Sequence, residues 1–268
     1  MINGIGRELP DKIGNYIVKP YIDAYSTPPS PYPVVSQRVM RRLQPGEKKL
    51  LPSLRTAIEA SGLKDGMTIS FHHCFREGDK IISQVLTVIK ELGIKNLCFA
   101  PSAVVNLDES SIVDFIKDGT ITRIEASGIR GELGDAILQG ALEEPVILRP
   151  HGSRPRAIEA GELKLDVAFI GASASDDFGN CTGQIGENAC GALGYSFTDA
   201  MNARCVVVVT DNLVEYPCIP TSISQQYVDY VVKVDSIGDS EKISSGATRQ
   251  SKRPRDLVIA KRCADLIA

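Results

Sequence analysis

Residues 66–80 read GMTISFHHCFREGDK, and the hydrophobic period of the chain changes within them. Met67-Thr68-Ile69-Ser70-Phe71 has the β-branched and aromatic content of a short buried strand, with an Asp-Gly turn just before it. From Ile81 the apolar positions Ile81, Ile82, Val85, Leu86, Ile89 and Leu92 repeat with a helical period, and Gly93 closes the stripe. Strand, polar loop and helix in that order form half of a βαβ unit. His72, His73, Cys74, Phe75 and Arg76 fill the loop. In an open α/β sheet, ligands bind beyond the carboxyl ends of the strands, where this loop falls. A packed or solvated polar loop is the plainer reading, and an anion or acyl-thioester site is the functional one.

Later segments repeat the pattern. Residues 96–100, 121–125, 145–149, 166–170, 205–210 and 230–234 read as strands. Helices are expected from Ser53 to Ala60 with Gly62 as stop, and over 109–117 with Asp108 as cap. Further helices are expected at 132–142, 157–160 and from 254 onward. Glycines 183, 186, 191 and 194 announce irregular backbone. Alternating strands and helices predict an α/β fold with a doubly wound, mostly parallel sheet of about seven strands and helices on both faces. The expected organisation is a proline-rich arm over 1–52, holding eight of the fifteen prolines, then one domain over 53–235. Residues 236–268 are expected to be a connector and the start of a second domain that is absent.

Composition narrows the function. The chain is 43% hydrophobic and 24% charged with a net charge of -3, so no basic face is expected for nucleic acid. No apolar run is long enough to span a membrane and no leader is visible, which predicts a cytoplasmic protein with no membrane partner. Seven cysteines without a CxxC pair read as reduced thiols. Gly128, Gly131 and Gly134 are spaced GxxGxxG, so the dinucleotide fingerprint is not met, and no P-loop occurs. The adjacent His72 and His73 make a poor chelate, and no metal is expected.

Three consecutive strand ends bring a positive group beside glycine or serine. His72, His73 and Arg76 follow the first strand, and Ser127, Gly128, Arg130 and Gly131 follow the third. His151, Gly152, Arg154 and Arg156 follow the fourth. Guanidinium grips carboxylate in a bidentate fork, and glycines let backbone N–H groups approach a ligand, so the pattern suits a polyanionic substrate.

The blocks SGLKDGMTISFHHCFREGD, ASGIRGELGDAI, RPHGSRPRAIEAGEL, DVAFIGASASDDFGN, VVVVTDNLVEYP and SGATR resemble the alpha chain of bacterial citrate lyase. More broadly, DVAFI followed by DDFGN is similar to the alpha half of coenzyme A transferases. The resemblance implies transfer of a thioester carrier from acetyl to citrate through a mixed anhydride, giving a citryl thioester and acetate. The carrier would be the prosthetic arm of an acyl carrier protein or coenzyme A, with no cofactor bound directly. Implied partners are citrate, acetyl-acyl carrier protein or acetyl-CoA, the citrate lyase beta and gamma chains, and a second copy in a homo-oligomer. On this reading His72, His73 and Arg76 are catalytic and line the reacting centre with Ser127, Gly128, Arg130 and Gly131. His151, Gly152 and Arg154 contact substrate carboxylates, and Arg154 is expected to matter more to citrate than to folding. Gly179 and Asn180 bind substrate or shape a supporting turn. The chain departs from the pattern at FHHCF, where coenzyme A transferases have a glycine-rich loop, and at Cys74, where many relatives would carry another His. The half that carries the catalytic glutamate in coenzyme A transferases is also missing. The competing expectation is a non-enzymatic ligand-sensing or structural module on a sugar-phosphate-isomerase-like sheet.

Overall fold

A computed structural model describes residues 1–3, 6–18, 43–44, 46–104, 109–243 and 251–267. Helix α1 (Leu54–Ser61) begins where the Ser53 side chain accepts the N–H of Thr56, and it ends at Gly62, whose φ of 67° is the left-handed turn a glycine makes without strain. Strand β4 (Thr68–Phe71) and helix α2 (Ile81–Glu91) flank the histidine loop. The carboxyl of Asp79 accepts the N–H groups of Ile81 and Ile82 and so caps α2. The expected Asp108 cap and residues 19–42 of the expected proline-rich arm lie outside the described residues.

Eight strands pair in the order β3-β12-β11-β8-β4-β5-β6-β7, and every pairing is parallel. They are β3 (Leu50–Leu51), β4, β5 (Leu97–Pro101), β6 (Ile121–Ala126), β7 (Ile147–Leu148), β8 (Val167–Gly171), β11 (Cys205–Thr210) and β12 (Tyr230–Lys233). Two small antiparallel pairs lie outside this sheet, β1 (Lys12–Ile13) with β2 (Tyr16–Ile17) and β9 (Ala174–Ser175) with β10 (Cys181–Thr182). The edge strand β3 comes from residues that the sequence reading gave to the arm. It is two residues long, too short to show a period.

From β4 the chain winds outward through β5, β6 and β7, then returns to the other side of β4 through β8. The β4/β8 junction is therefore the switch point of the sheet, where loops diverge and leave a crevice. Two apolar cores cover the faces. Ile69, Phe71, Phe99, Phe169 and Val207 pack with α1, α2, α3 (Glu109–Lys117) and α4 (Gly131–Leu138). Ala168, Ile170, Val206 and Val208 pack with α5 (Ser153–Glu159) and α6 (Ser196–Asn202). Val206 and Val208 face one way and Val207 and Val209 the other, as a strand buried on both sides requires.

Two helix expectations shift. Helix α4 ends at Leu138, before Gly140 at φ 88°, so it is shorter than the 132–142 stripe. Helix α5 starts at Ser153, so Arg154 and Arg156 are helical and not loop residues. Pro155 sits in its first turn, where the missing N–H costs nothing. Helix α7 (Pro254–Ile267) forms, with Leu257, Val258, Ile259, Leu266 and Ile267 exposed. Among the described residues no helix is long and apolar enough to cross a membrane.

Candidate active site

The loop after β4 is fixed by its aromatic residue. Phe75 lies against Gly171 at the end of β8 so closely that a Cβ there would collide with the ring and with Ile81. Phe71 and Phe75 are both buried and anchor the two ends of the His72, His73 and Cys74 segment. Arg76 follows at φ 53°, a left-handed conformation that a long side chain adopts only at a cost. Such strain concentrates at functional sites. Among the described residues its guanidinium makes no ion pair or side-chain hydrogen bond.

His72 is buried, with Nε2 3.1 Å from Oδ2 of Asp199 on α6. The approach is close enough for charge pairing but not aligned as a hydrogen bond, and Nε2 has no other partner among the described residues. Asp199 also receives a bidentate fork from Arg154, with Nη1 to Oδ1 and Nη2 to Oδ2 both at 2.8 Å. Arg154 Nη2 further donates to the Ala100 carbonyl at 2.8 Å and to Ser70 Oγ at 3.2 Å, while Ser70 Oγ donates to Asp199. Burial pushes the Asp199 carboxyl up, but His72 and Arg154 outweigh it and hold the group below the usual carboxylate range. Arg154 is 1% exposed. Its fork is spent on Asp199, so this arginine braces the sheet end and does not face substrate, contrary to the sequence expectation.

His73 points elsewhere. Its Nδ1 lies 2.6 Å from Ser102 Oγ, which also accepts the His73 N–H at 3.1 Å. Its ring lies 5.6 Å from that of His151, which meets Tyr195 edge-on at 5.6 Å. The loops after β4 and β7 thus touch across the ends of β5 and β6. Burial, then the charges of Arg76, His151, His72 and Arg154, bring the His73 imidazole down to about 4, so it is neutral near pH 7. Segment 102–104 runs beside 127–129: Ser127 N–H donates to Ser102 O at 3.1 Å and Val104 N–H to Gly128 O at 2.9 Å. This places Ser127 and Gly128 next to the residue that holds His73. Arg130, exposed at the start of α4, makes no ion pair among the described residues, and Gly131 turns the chain into the helix at φ 64°.

Neither Gly128 nor Gly152 needs to be glycine for the chain itself. Both have ordinary φ, and a Cβ at either would meet nothing within 4 Å. What their bareness leaves open is the approach of a ligand to the backbone.

Gly179 and Asn180 belong to another construction. The Asp176 carboxylate accepts the N–H groups of Phe178, Gly179 and Asn180 at 2.8–3.0 Å, plus the Asn180 amide and the Cys218 N–H. Asn180 Oδ1 accepts the Gln225 N–H at 3.0 Å. These bonds shape a turn, and all the partners lie outside the histidine loop. Arg156 pairs with Glu162 on the surface at 2.6 Å.

Sequence reasoning missed Ser70, Ser102, Tyr195 and Asp199. They come from a strand, a strand end and helix α6, and each looks like an ordinary polar residue of its element; only the tertiary fold brings them to the histidines. No group of three His, Cys, Asp or Glu side chains able to hold a metal occurs among the described residues.

Residues 47–268 match the family model for the citrate lyase alpha subunit (CitF). The chain is 46% identical over 246 residues to the citrate lyase alpha chain of Haemophilus influenzae, covering 92% of this chain and 49% of that one. It is 47% identical over 221 residues to the Escherichia coli K12 citrate lyase alpha chain, covering 82% and 43%. The chain thus spans about half the length of the curated relatives it matches. A crystal structure described as the alpha subunit of citrate lyase from Streptococcus mutans in complex with citrate superposes with a TM-score of 0.83 at 45% identity. The superposition covers 99% of this chain and 51% of that one. An acyl-CoA transferase from Escherichia coli O157:H7 shares the fold at a TM-score of 0.55 and 14% identity, over 84% of this chain and 56% of its own. By the family match and by the extent of these identities, the chain belongs to the citrate lyase alpha subunit family.

Proposed function

We propose that this chain forms the citrate-binding wall of a citrate lyase alpha subunit, which moves a thioester carrier from acetyl to citrate. The observation that carries this reading is the meeting of the β4, β6 and β7 loops at the sheet end, where Arg76 and Arg130 have no carboxylate of the described chain to neutralise them. Support comes from the relative bound to citrate, at 45% identity over nearly the whole chain. Citrate brings the missing carboxylates, and two planar guanidinium forks match its geometry.

One citrate carboxylate attacks the acetyl thioester carbon. The C–S bond breaks and the carrier thiolate leaves, giving an acetyl-citryl anhydride. The thiolate then attacks the citryl carbon of that anhydride, and acetate departs with the electrons of the C–O bond. Arg76 and Arg130 hold the carboxylates that do not react. His73, neutral and fixed by Ser102, accepts or donates a hydrogen bond without adding a charge that would quench the nucleophile. The bare backbones of Gly128 and Gly152 let the anhydride oxygens approach N–H groups. Asp199 and Arg154 hold His72 and the strand ends in place.

On this reading the donor is acetyl-acyl carrier protein or acetyl-CoA, and the beta chain cleaves the citryl thioester to oxaloacetate and the acetyl thioester, which restores the donor. The gamma chain and a second copy complete a cytoplasmic complex. Calorimetric titration of the chain with citrate tests the binding step. Saturable binding, weakened about tenfold or more by Arg76→Ala, is the expected result for loss of a charge-assisted pair. Absence of citrate binding, or equal binding by the variant, contradicts the reading.

A further inference from the structure

The proposed exchange gives His72 no chemistry of its own, yet this ring is bound into the charged cluster at the sheet end. It follows β4 directly, at the switch point where ligands enter an open α/β sheet. Its side chain is 5% exposed and that of Asp199 is fully buried, with 3.1 Å between Nε2 and Oδ2. A bare nitrogen lone pair and a carboxylate oxygen repel at that distance away from water, so one of the two carries a proton.

The other partners of Asp199 place that proton on the histidine. The Arg154 fork donates to both carboxylate oxygens. Ser70 Oγ accepts from Arg154 Nη2 and so donates its own proton to Asp199. Asp199 is therefore an acceptor on every side, and Nε2 is the protonated atom. The charges of Arg154 and Asp199 cancel, so a neutral ring closes the cluster without adding a buried charge. A neutral imidazole carries one ring proton, which leaves Nδ1 bare. Nδ1 of His72 has no hydrogen-bond partner among the described residues and, unlike Nε2, is not sealed from solvent. The neighbouring ring differs, since Nδ1 of His73 is held by Ser102.

We infer that Asp199 is a positioning residue that fixes His72 as the Nε2–H tautomer, and that the bare Nδ1 accepts the hydroxyl of a hydroxy-carboxylate substrate. The second half of this inference rests on the proposed citrate site. Guanidinium forks and backbone N–H groups are donors, and they bind carboxylates equally well whether or not the molecule also carries a hydroxyl. The hydroxyl is the one donor that ionised citrate offers, and a bare imidazole nitrogen is the acceptor that fits it. A site built around such a bond rejects the analogue without the hydroxyl, because the acceptor is then left unpaired.

The test uses the full chain carrying isotope-labelled histidine. Long-range proton–nitrogen correlation NMR near pH 7 separates protonated from bare ring nitrogens, and the His72 signals are those missing from His72→Gln. The expected parent spectrum shows His72 protonated at Nε2 and bare at Nδ1. In Asp199→Asn a carboxamide can put a donor where only acceptors stood, so the ring should move toward the Nδ1–H form. A purely structural brace would leave the tautomer unchanged. A parent protonated at Nδ1, or at both nitrogens, overturns the positioning role, and so does a folded Asp199→Asn that keeps the parent's tautomer. The parent spectrum decides the matter where Asp199→Asn folds poorly. Calorimetric titration then compares citrate with tricarballylate, which keeps the three carboxylates and lacks the hydroxyl. The parent should bind citrate about tenfold or more tightly than tricarballylate, the worth of one hydrogen bond to a buried acceptor. Citrate should also shift the His72 Nδ1 signal. Equal affinities, or an Nδ1 signal that saturating citrate leaves in place, overturn the hydroxyl contact and leave the tautomer standing. A chain that binds neither compound removes the citrate reading and the hydroxyl contact together, while the tautomer is still decided by the spectrum of the free chain.

Discussion

Asp199 and Arg154 show how a single side chain changes meaning once its partners are known. A guanidinium beside His151 and Gly152 in sequence suggests a substrate clamp, but its fork is closed on a fully buried carboxylate. Removing one partner of such a pair strands a charge, so Arg154→Ala and Asp199→Ala should each cost about 3–5 kcal/mol in urea unfolding. Arg154→Lys should not recover it, because an ammonium cannot repeat the two parallel bonds to Asp199. A loss of citrate affinity with unchanged stability in Arg154→Ala would restore the clamp. His73 makes a second prediction at this scale. Its imidazole protonates near 6.5 when unfolded but only near 4 when folded. Between those values the unfolded state binds more protons, so His73 costs stability as pH falls through that window and none above it. Asp79, pushed by burial up to about 7, acts with the opposite sign: the folded state binds more protons between 3.8 and 7, and that stabilisation is lost as pH rises. Asp79 remains partly exposed and accepts two backbone N–H bonds, which weakens its effect. Comparing the parent with His73→Gln isolates the imidazole. The parent should lose more stability than the variant between pH 7 and pH 5, and parallel losses would show that His73 does not titrate low.

At the scale of elements, the histidine loop is held by one close approach. Gly171 ends β8, and Phe75 occupies the space that any Cβ there would need. Gly171→Ala should therefore displace the ring and Ile81, at a cost of roughly 1–3 kcal/mol for overpacking. It should also weaken citrate binding by moving Arg76, although Gly171 touches no ligand in this account. Unfolding curves and citrate titration of the variant check both, and a neutral effect on each would mean the loop relaxes freely. Much at this scale was legible in the sequence because the signals are local. Ser53 and Gly62 mark both ends of α1, and the all-valine core of β11 can only be a strand buried on both faces. The start of α5 was not legible, because a proline in the first helical turn and a proline that breaks a helix look alike without coordinates. The two-residue β3 and β7 carry no period at all.

At the scale of the molecule, the order of strands puts three positive loops at one place. Only a sheet that winds out from β4 and returns at β8 leaves the β4 loop at a switch point with the β6 and β7 loops to one side. The sequence showed which loops carry His and Arg but not that Ser102 holds His73 or that α6 supplies Asp199, since those meetings depend on long-range packing. The three histidines of the chain, His72, His73 and His151, all lie in this region, so ring resonances report on the site with no background. Histidine-selective NMR during citrate titration is the most direct measurement. The account predicts saturable shifts of the His73 and His151 ring signals, with the midpoint moved about tenfold or more to higher citrate in Arg130→Ala and no change in that variant's melting temperature. Histidine signals that stay fixed at saturating citrate would contradict it.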